Sequence, residues 1–126
     1  MKTPVSTKET RAEKAKQSLI NQLERIRKEK EHEGVIINNV RYSGSQNNRV
    51  ALNEALQHAE KATLTSFSRW KDSDGEFHLD HPVSDIEQAL DAIALKRSSL
   101  INLEGQYKED ILDGKITSLD DLQWDV

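Results

Sequence analysis

The sequence predicts an α+β chain. A long N-terminal helix comes first, two short β-hairpins alternate with helices in the order helix-hairpin-helix-hairpin-long helix, and a short C-terminal turn carries a docked tryptophan. Three observations point there. Apolar residues recur at three- and four-residue steps in three separate stretches, as they do on one face of a helix. Two β-type runs each surround a tight-turn signal, Asn38-Asn39 in one and Asp74-Gly75 in the other. Hydrophobic residues are also unevenly spread. Of the 126 residues, positions 1–33 contribute only Met1, Val5, Ala12, Ala15, Leu19, Ile20, Leu23 and Ile26. That N-terminal quarter is too polar for a core of its own, while the remainder has ordinary globular composition. The predicted units are therefore residues 1–33, an extended charged amphipathic helix, and residues 34–126, a small α+β domain.

The first helix is expected to begin near Ser6 or Thr7, to hold Glu9 or Thr10 in its first turn, and to end at Gly34, the residue type preferred just past a helix C-terminus. Ala12, Ala15, Leu19, Leu23 and Ile26 step by three or four and form one narrow stripe, a coiled-coil-like seam. About 27 helical residues at ~1.5 Å each would reach ~40 Å. These five residues are the expected partner-binding contacts of a docking or oligomerisation arm.

Val35-Ile36-Ile37 and Val40-Arg41-Tyr42 flank Asn38-Asn39, and asparagine tolerates the positive φ of a tight hairpin turn. Ser45 is the expected N-cap of a second helix running to about Lys61, with Leu52, Ala55, Leu56 and Ala59 facing inward. Residues 64–71 then alternate as a strand, Asp74-Gly75 turns the chain, and Phe77, Leu79 and His81 return before Pro82. Ser84 is the expected cap of the long helix, with Glu87 completing a capping box. Val83, Ile86, Leu90, Ile93, Leu100, Tyr107 and Ile111 define its stripe, which Ile101, Leu103 and Leu112 widen. Gly114 ends it, and Trp124 is expected to dock back on it, because an exposed indole leaves much apolar surface in water.

Charge and motif searches narrow the chemistry. Residues 1–33 carry net positive charge and residues 34–126 net negative, within an overall −4. The basic residues of the first segment are interleaved with glutamates, and Glu24–Lys28 is an i,i+4 pair, so a solvated helix face is expected rather than a nucleic-acid surface. The absence of cysteine removes disulfide, thiolate-metal and cysteine-nucleophile chemistry together. No apolar run approaches the ~20 residues that cross a bilayer, and no signal-peptide run follows Met1, so no membrane partner is expected. His78, Asp80 and His81 are the residue types of a metal site. On a regular strand, however, His78 and Asp80 share one face and His81 the other, so only two ligands converge. The Asp72-Ser73-Asp74-Gly75-Glu76 run places its glycine too early for a calcium loop. His58 and Glu54 read as a surface pair. No nucleophile elbow or phosphate-binding glycine loop occurs. The chain is accordingly read as a non-enzyme, with no catalytic, cofactor-binding or metal residues and no cofactor. A metal-dependent enzyme using His78, Asp80 and His81 is the alternative of a different class.

Gly34 through Tyr42 is similar to the G-V-x-V-x-G-V-x-Y/F opening of an uncharacterised domain family found in tail-fibre and tail-fibre-assembly proteins of tailed bacteriophages. The order that follows also resembles that family: a helix from Arg49 through Ala59, a tryptophan-bearing hairpin from Thr65 through Leu79, a long helix from Val83 through Asp113. The close, Ile116 through Trp124, is similar to T-x-x-E/D-L-x-x-I/L-x-W. Asn39 stands where the family usually has glycine, and the resemblance covers residues 34–126 without the N-terminal helix. It implies a tail-fibre-associated assembly chaperone or interaction module whose partner is a tail-fibre or tail protein. The expected location is the host cytoplasm during assembly. Alternatively the protein is a structural subunit retained in the virion tail or fibre. A homo-oligomer through the N-terminal helix is a further expectation.

Overall fold

The structure, a computed structural model, describes residues 10–126. Its elements run α1 (Arg11–Glu33), β1 (Val35–Ile37), β2 (Val40–Tyr42), α2 (Gln46–Ala62), β3 (Ser66–Lys71), β4 (Phe77–Pro82) and α3 (Val83–Leu112). Each pair of consecutive strands forms its own two-stranded antiparallel sheet. Three helices and two hairpins among the described residues make this the α+β arrangement expected from the sequence.

Among the described residues the first helix starts at Arg11; the start expected near Ser6 or Thr7 lies outside them. Thr10 is the N-cap: its extended backbone turns the chain, and its hydroxyl accepts from the Glu13 N–H at 3.0 Å. At the other end Gly34 sits at φ 71°, and its N–H donates to the Glu31 carbonyl at 3.0 Å. A Cβ there would lie 1.8 Å from the Tyr42 carbonyl oxygen, because β2 pairs directly opposite as the chain enters β1. Only glycine fits.

α1 does not stand apart from the rest. It lies antiparallel along α3, as a series of contacts between the two shows. Lys16 Nζ donates to the Leu112 carbonyl at 2.9 Å, Arg27 Nε to Glu104 at 2.7 Å, and Arg97 Nε meets Glu31 at 2.7 Å. Lys96 Nζ reaches the Gly34 carbonyl at 2.8 Å just past the end of α1. Leu23 on α1 and Leu100 and Ile111 on α3 are all 0% exposed. The narrow stripe is thus an intramolecular seam, and the polar residues 11–33 obtain their core from α3. Together the two helices form a stalk.

The other half of α3 builds the head. Val40 and Tyr42 of β2, Leu52 of α2, and Ile86, Ala89 and Ile93 of α3 form the buried cluster, with Phe67 and Trp70 of β3 packed against it. The first turn is the expected tight hairpin, with Ile37 opposite Val40 and both Asn38 and Asn39 at positive φ, 50° and 68°. Ser45 caps α2 as expected, its hydroxyl accepting from the Asn48 N–H at 3.3 Å.

α3 begins one turn position earlier than its expected cap. Pro82 precedes the first helical residue, no side chain caps the end, and the Val83 N–H donates to the Thr65 carbonyl at 3.0 Å. The expected Ser84–Glu87 capping box gives way because β4 feeds directly into the helix, with the backbone ahead of β3 taking up the first N–H. At the C-terminus the Trp124 ring stands edge-on to Tyr107 of α3 at 5.4 Å and 78°, and the Tyr107 hydroxyl donates to the Gln123 carbonyl. The indole docks where expected.

Candidate functional site

The second hairpin departs from simple strand alternation. Phe67 and Trp70 on β3 are half-buried, as is His78 on β4, while His81 is buried; these inward residues are three apart on both strands, not two. The cause is local. Asp80 takes φ 50°, and the pairing of Phe67 with His81 and of Arg69 with Leu79 skips the Ser68–Asp80 step. This flips side-chain parity on both strands at the same level. His78 and His81 therefore share a face, with rings 5.7 Å apart, while Asp80 points to solvent. The His78, Asp80 and His81 set considered from the sequence is not assembled. Phe77 and Leu79, expected on one face with His81, are instead 63% and 66% exposed.

Inside this hairpin an aromatic–histidine cluster closes over the head. The Trp70 indole stacks on His81 at 5.6 Å and 10°, and the Tyr42 hydroxyl lies 2.5 Å from His81 Nε2. Burial, reinforced by the Asp85 and Asp72 carboxylates, pushes the Tyr42 phenol up to about 12. Burial likewise pulls His81 below the usual imidazole value, with Asp85 opposing it. At neutral pH the phenol keeps its proton and donates it to a neutral imidazole, which then carries its own proton on Nδ1. Both side chains are enclosed, at 1% and 4% exposure, and each satisfies the other. This pair packs into the head, with the Trp70 indole stacked against His81.

The turn beside it holds Asp72, Glu76 and His78, which offer three ligand atoms within 4.8 Å of one another. Two carboxylates and an imidazole suit a divalent ion. The same atoms also have a structural use. Asp72 Oδ1 accepts from the Asp74 and Glu76 N–H groups at 2.8 and 2.9 Å, and Oδ2 receives His78 Nε2 at 2.7 Å. The His78 hydrogen bond above all holds the Asp72 carboxyl below its ordinary range.

The residues expected to bind a partner are scattered by the packing of α1. Leu23 is wholly buried against α3, Leu19 and Ile26 are half-buried, and Ala12 and Ala15 are exposed. No continuous stripe of these five is left for another molecule. Apolar side chains remain exposed at several places, Ile36 on β1, Val50 on α2, Phe77 and Leu79 on β4, and Leu95, Ile101 and Leu112 on α3, and of these Ile101 lines a groove on α3. That helix has 30 residues and α2 only 17, so a second face of α3 emerges past the end of its cover. Leu90, Ile93, Ala94 and Ile101 floor a groove of about 470 Å³ between α2 and α3, and Arg49 and Arg97 edge it. Ile101 is 40% exposed, and Leu112 further along is 51% exposed. The extra width of the α3 stripe was visible in the sequence through Ile101 and Leu112. Which part would stay uncovered depended on the length of α2 and on α1 packing along the C-terminal half of α3.

These features define a class: a two-helix stalk joined to a small hairpin-and-helix head, with an open groove along the shared helix. Residues 14–124 match the family described as a domain of unknown function, DUF4376, and the chain belongs to that family. The match begins inside α1, so the family's span takes in most of the helix that the sequence resemblance left out. No curated protein and no solved structure matches the chain.

Proposed function

We propose that this protein is a non-catalytic docking module of tailed-bacteriophage tail-fibre assembly, which holds an acidic, partly apolar segment of a fibre or tail subunit in the α2–α3 groove. The phage setting rests on the sequence resemblance of residues 34–126; the family description adds no function to it. The observation that carries the docking reading is the groove itself, an apolar floor of about 470 Å³ with two arginines at its edge. Partly exposed aliphatic residues in a concave surface are what a protein partner's side chains fill, and flanking cations select acidic partners.

Co-expression with a fibre subunit followed by size-exclusion chromatography tests the reading. Co-elution is expected for the native chain and its loss for Ile101→Asp, a substitution at an already exposed position. Absence of co-elution with the native chain, or co-elution that survives Ile101→Asp, sinks it. Mass spectrometry of purified particles separates an assembly chaperone from a subunit retained in the virion. A second reading of another class is favoured by the Asp72, Glu76 and His78 geometry: a divalent-metal protein. Metal analysis of the purified chain decides it, since stoichiometric zinc or manganese lost on His78→Ala is required.

A further inference from the structure

On the opposite side of Arg49 and Arg97 from the groove, a second cavity of about 410 Å³ opens between α1, the start of α2 and α3. We infer that this cleft binds a phosphate dianion, either free or as a phosphomonoester. Its walls bring together Arg27, Lys28, Arg49 and Arg97 around one carboxylate, Glu31. Glu31 is 8% exposed and is already shared by Arg27 and Arg97, and Arg27 also pairs with Glu104 at 2.7 Å, so Arg49 and the weakly paired Lys28 carry the uncompensated charge of the cleft. Lys28 pairs only with Glu24 at 3.0 Å, both well exposed, which is an arrangement of little energetic weight.

The guanidinium N–H groups show what is missing. Arg49 has no ion-pair partner among the described residues, and its Nε is shut off from solvent without a hydrogen-bond acceptor. Arg97 Nε lies 2.7 Å from Glu31 Oε1 but also lacks an aligned acceptor. Buried charged donors are rarely left this way, because desolvation of the group is not recovered. An oxyanion in the cleft would supply acceptors to the outer N–H groups of Arg49, whose side chain makes no hydrogen bond or ion pair among the described residues. The first turn of α2 adds to the same field. Ser45 and Gln46 line the cleft, and no acidic residue occupies that turn, where one would ordinarily offset the helix dipole. Gly44 forms part of the wall; a Cβ there would meet the Glu31 carbonyl oxygen at 2.3 Å, so the chain can pass this close to α1 only as glycine. A phosphate dianion fits better than a carboxylate, since planar guanidinium groups from two helices, Arg49 on α2 and Arg97 on α3, can each bind separate oxygens.

This inference does not rest on docking at the groove, and Ile101→Asp leaves its residues intact. Isothermal titration of the full chain at constant ionic strength tests it, with inorganic phosphate and O-phosphoserine as probes and chloride as the control anion. Saturable binding of at least one probe is expected, weakened ~10-fold or more by Arg49→Ala, as loss of a charge-assisted pair requires. Lys28→Ala, at a solvent-exposed site that does not endanger the fold, should weaken binding ~3-fold through loss of one screened charge. Arg49→Lys, which keeps the charge and removes the fork, should fall between the native chain and Arg49→Ala. Phosphoserine binding much more tightly than phosphate would identify a phosphorylated side chain as the source, and equal or weaker binding a free phosphate; either supports the site. Binding of both probes no stronger than chloride, or unchanged in Lys28→Ala and the Arg49 variants, overturns it.

Discussion

Leu23→Ala separates a packed stalk from a free arm. Leu23 is 0% exposed, and it stands midway along α1, where that helix runs against α3. Truncating a fully buried leucine removes transfer free energy and leaves a cavity that helices tied at both ends cannot close, for a loss of ~3 kcal/mol. In a chain of this size that corresponds to a fall in Tm of about 10 to 15 °C. The controls come from the same stripe. Leu19→Ala, half-buried, should lose ~1 kcal/mol, while Ala15→Ser, exposed, should stay within ~0.5 kcal/mol. Urea unfolding followed by far-UV circular dichroism on the isolated chain gives all three values, with light scattering alongside. If Leu23→Ala lost less than ~1 kcal/mol while dissociating an oligomer, the stripe would be an intermolecular contact and the intramolecular seam would be wrong.

Other outcomes follow from single sites. Folded His81 binds a proton less readily than its ordinary value of 6.5 because it is buried, so its contribution to stability is complete above about that pH and is lost as pH falls through the folded value. Tyr42, raised from 10.0 to about 12, contributes fully below pH 10 and loses that contribution as pH rises toward 12. Urea midpoints should therefore form a plateau between these limits, and His81→Gln should flatten the decline that begins near pH 6.5; an unchanged acid limb would refute the assignment. Gly105 lies within α3, and a Cβ there would meet open space, so Gly105→Ala should stabilise by ~0.5–1 kcal/mol in thermal melts. Gly44→Ala, with the Glu31 carbonyl at 2.3 Å from its Cβ, should instead destabilise by ~2 kcal/mol or more.

Local chemistry made some elements readable and left others hidden. The Asn38-Asn39 turn, the Ser45 cap, the Gly34 stop and the return of Trp124 each depend on residues within a few positions or on one large apolar group, and each appears where expected. The seam of α1 was visible as a pattern, yet a stripe of that kind does not say whether its partner is another chain or a helix some seventy residues on. The long-range pairs Arg27–Glu104 and Arg97–Glu31 decide it, and they join positions that no local rule connects. The hairpin failed differently. Alternation assumes uniform strand backbone, and the positive φ of Asp80 breaks it. An aspartate is one of the few residues that tolerates that conformation, so Asp80 was a weak signal for a parity change that moves His81 into the core.

Glu31 connects these observations. Its carboxylate holds Arg27 and Arg97, its carbonyl receives the Gly34 N–H at the helix end, and the same carbonyl lies against Gly44 at the exit of the first hairpin. One residue therefore ties the stalk to the head at the point where the basic cleft opens. A buried carboxylate between two arginines is costly to desolvate, and its close pairing with both guanidinium groups offsets that cost. Here the geometry it fixes is the placement of Arg97 between cleft and groove. An anion that drew Arg97 or Arg49 into the cleft would alter the charge presented at the groove edge, so the two sites share a physical means of influencing one another. Any such coupling must be reciprocal: phosphate should change the affinity for a groove-bound acidic segment by the same factor as the segment changes the affinity for phosphate.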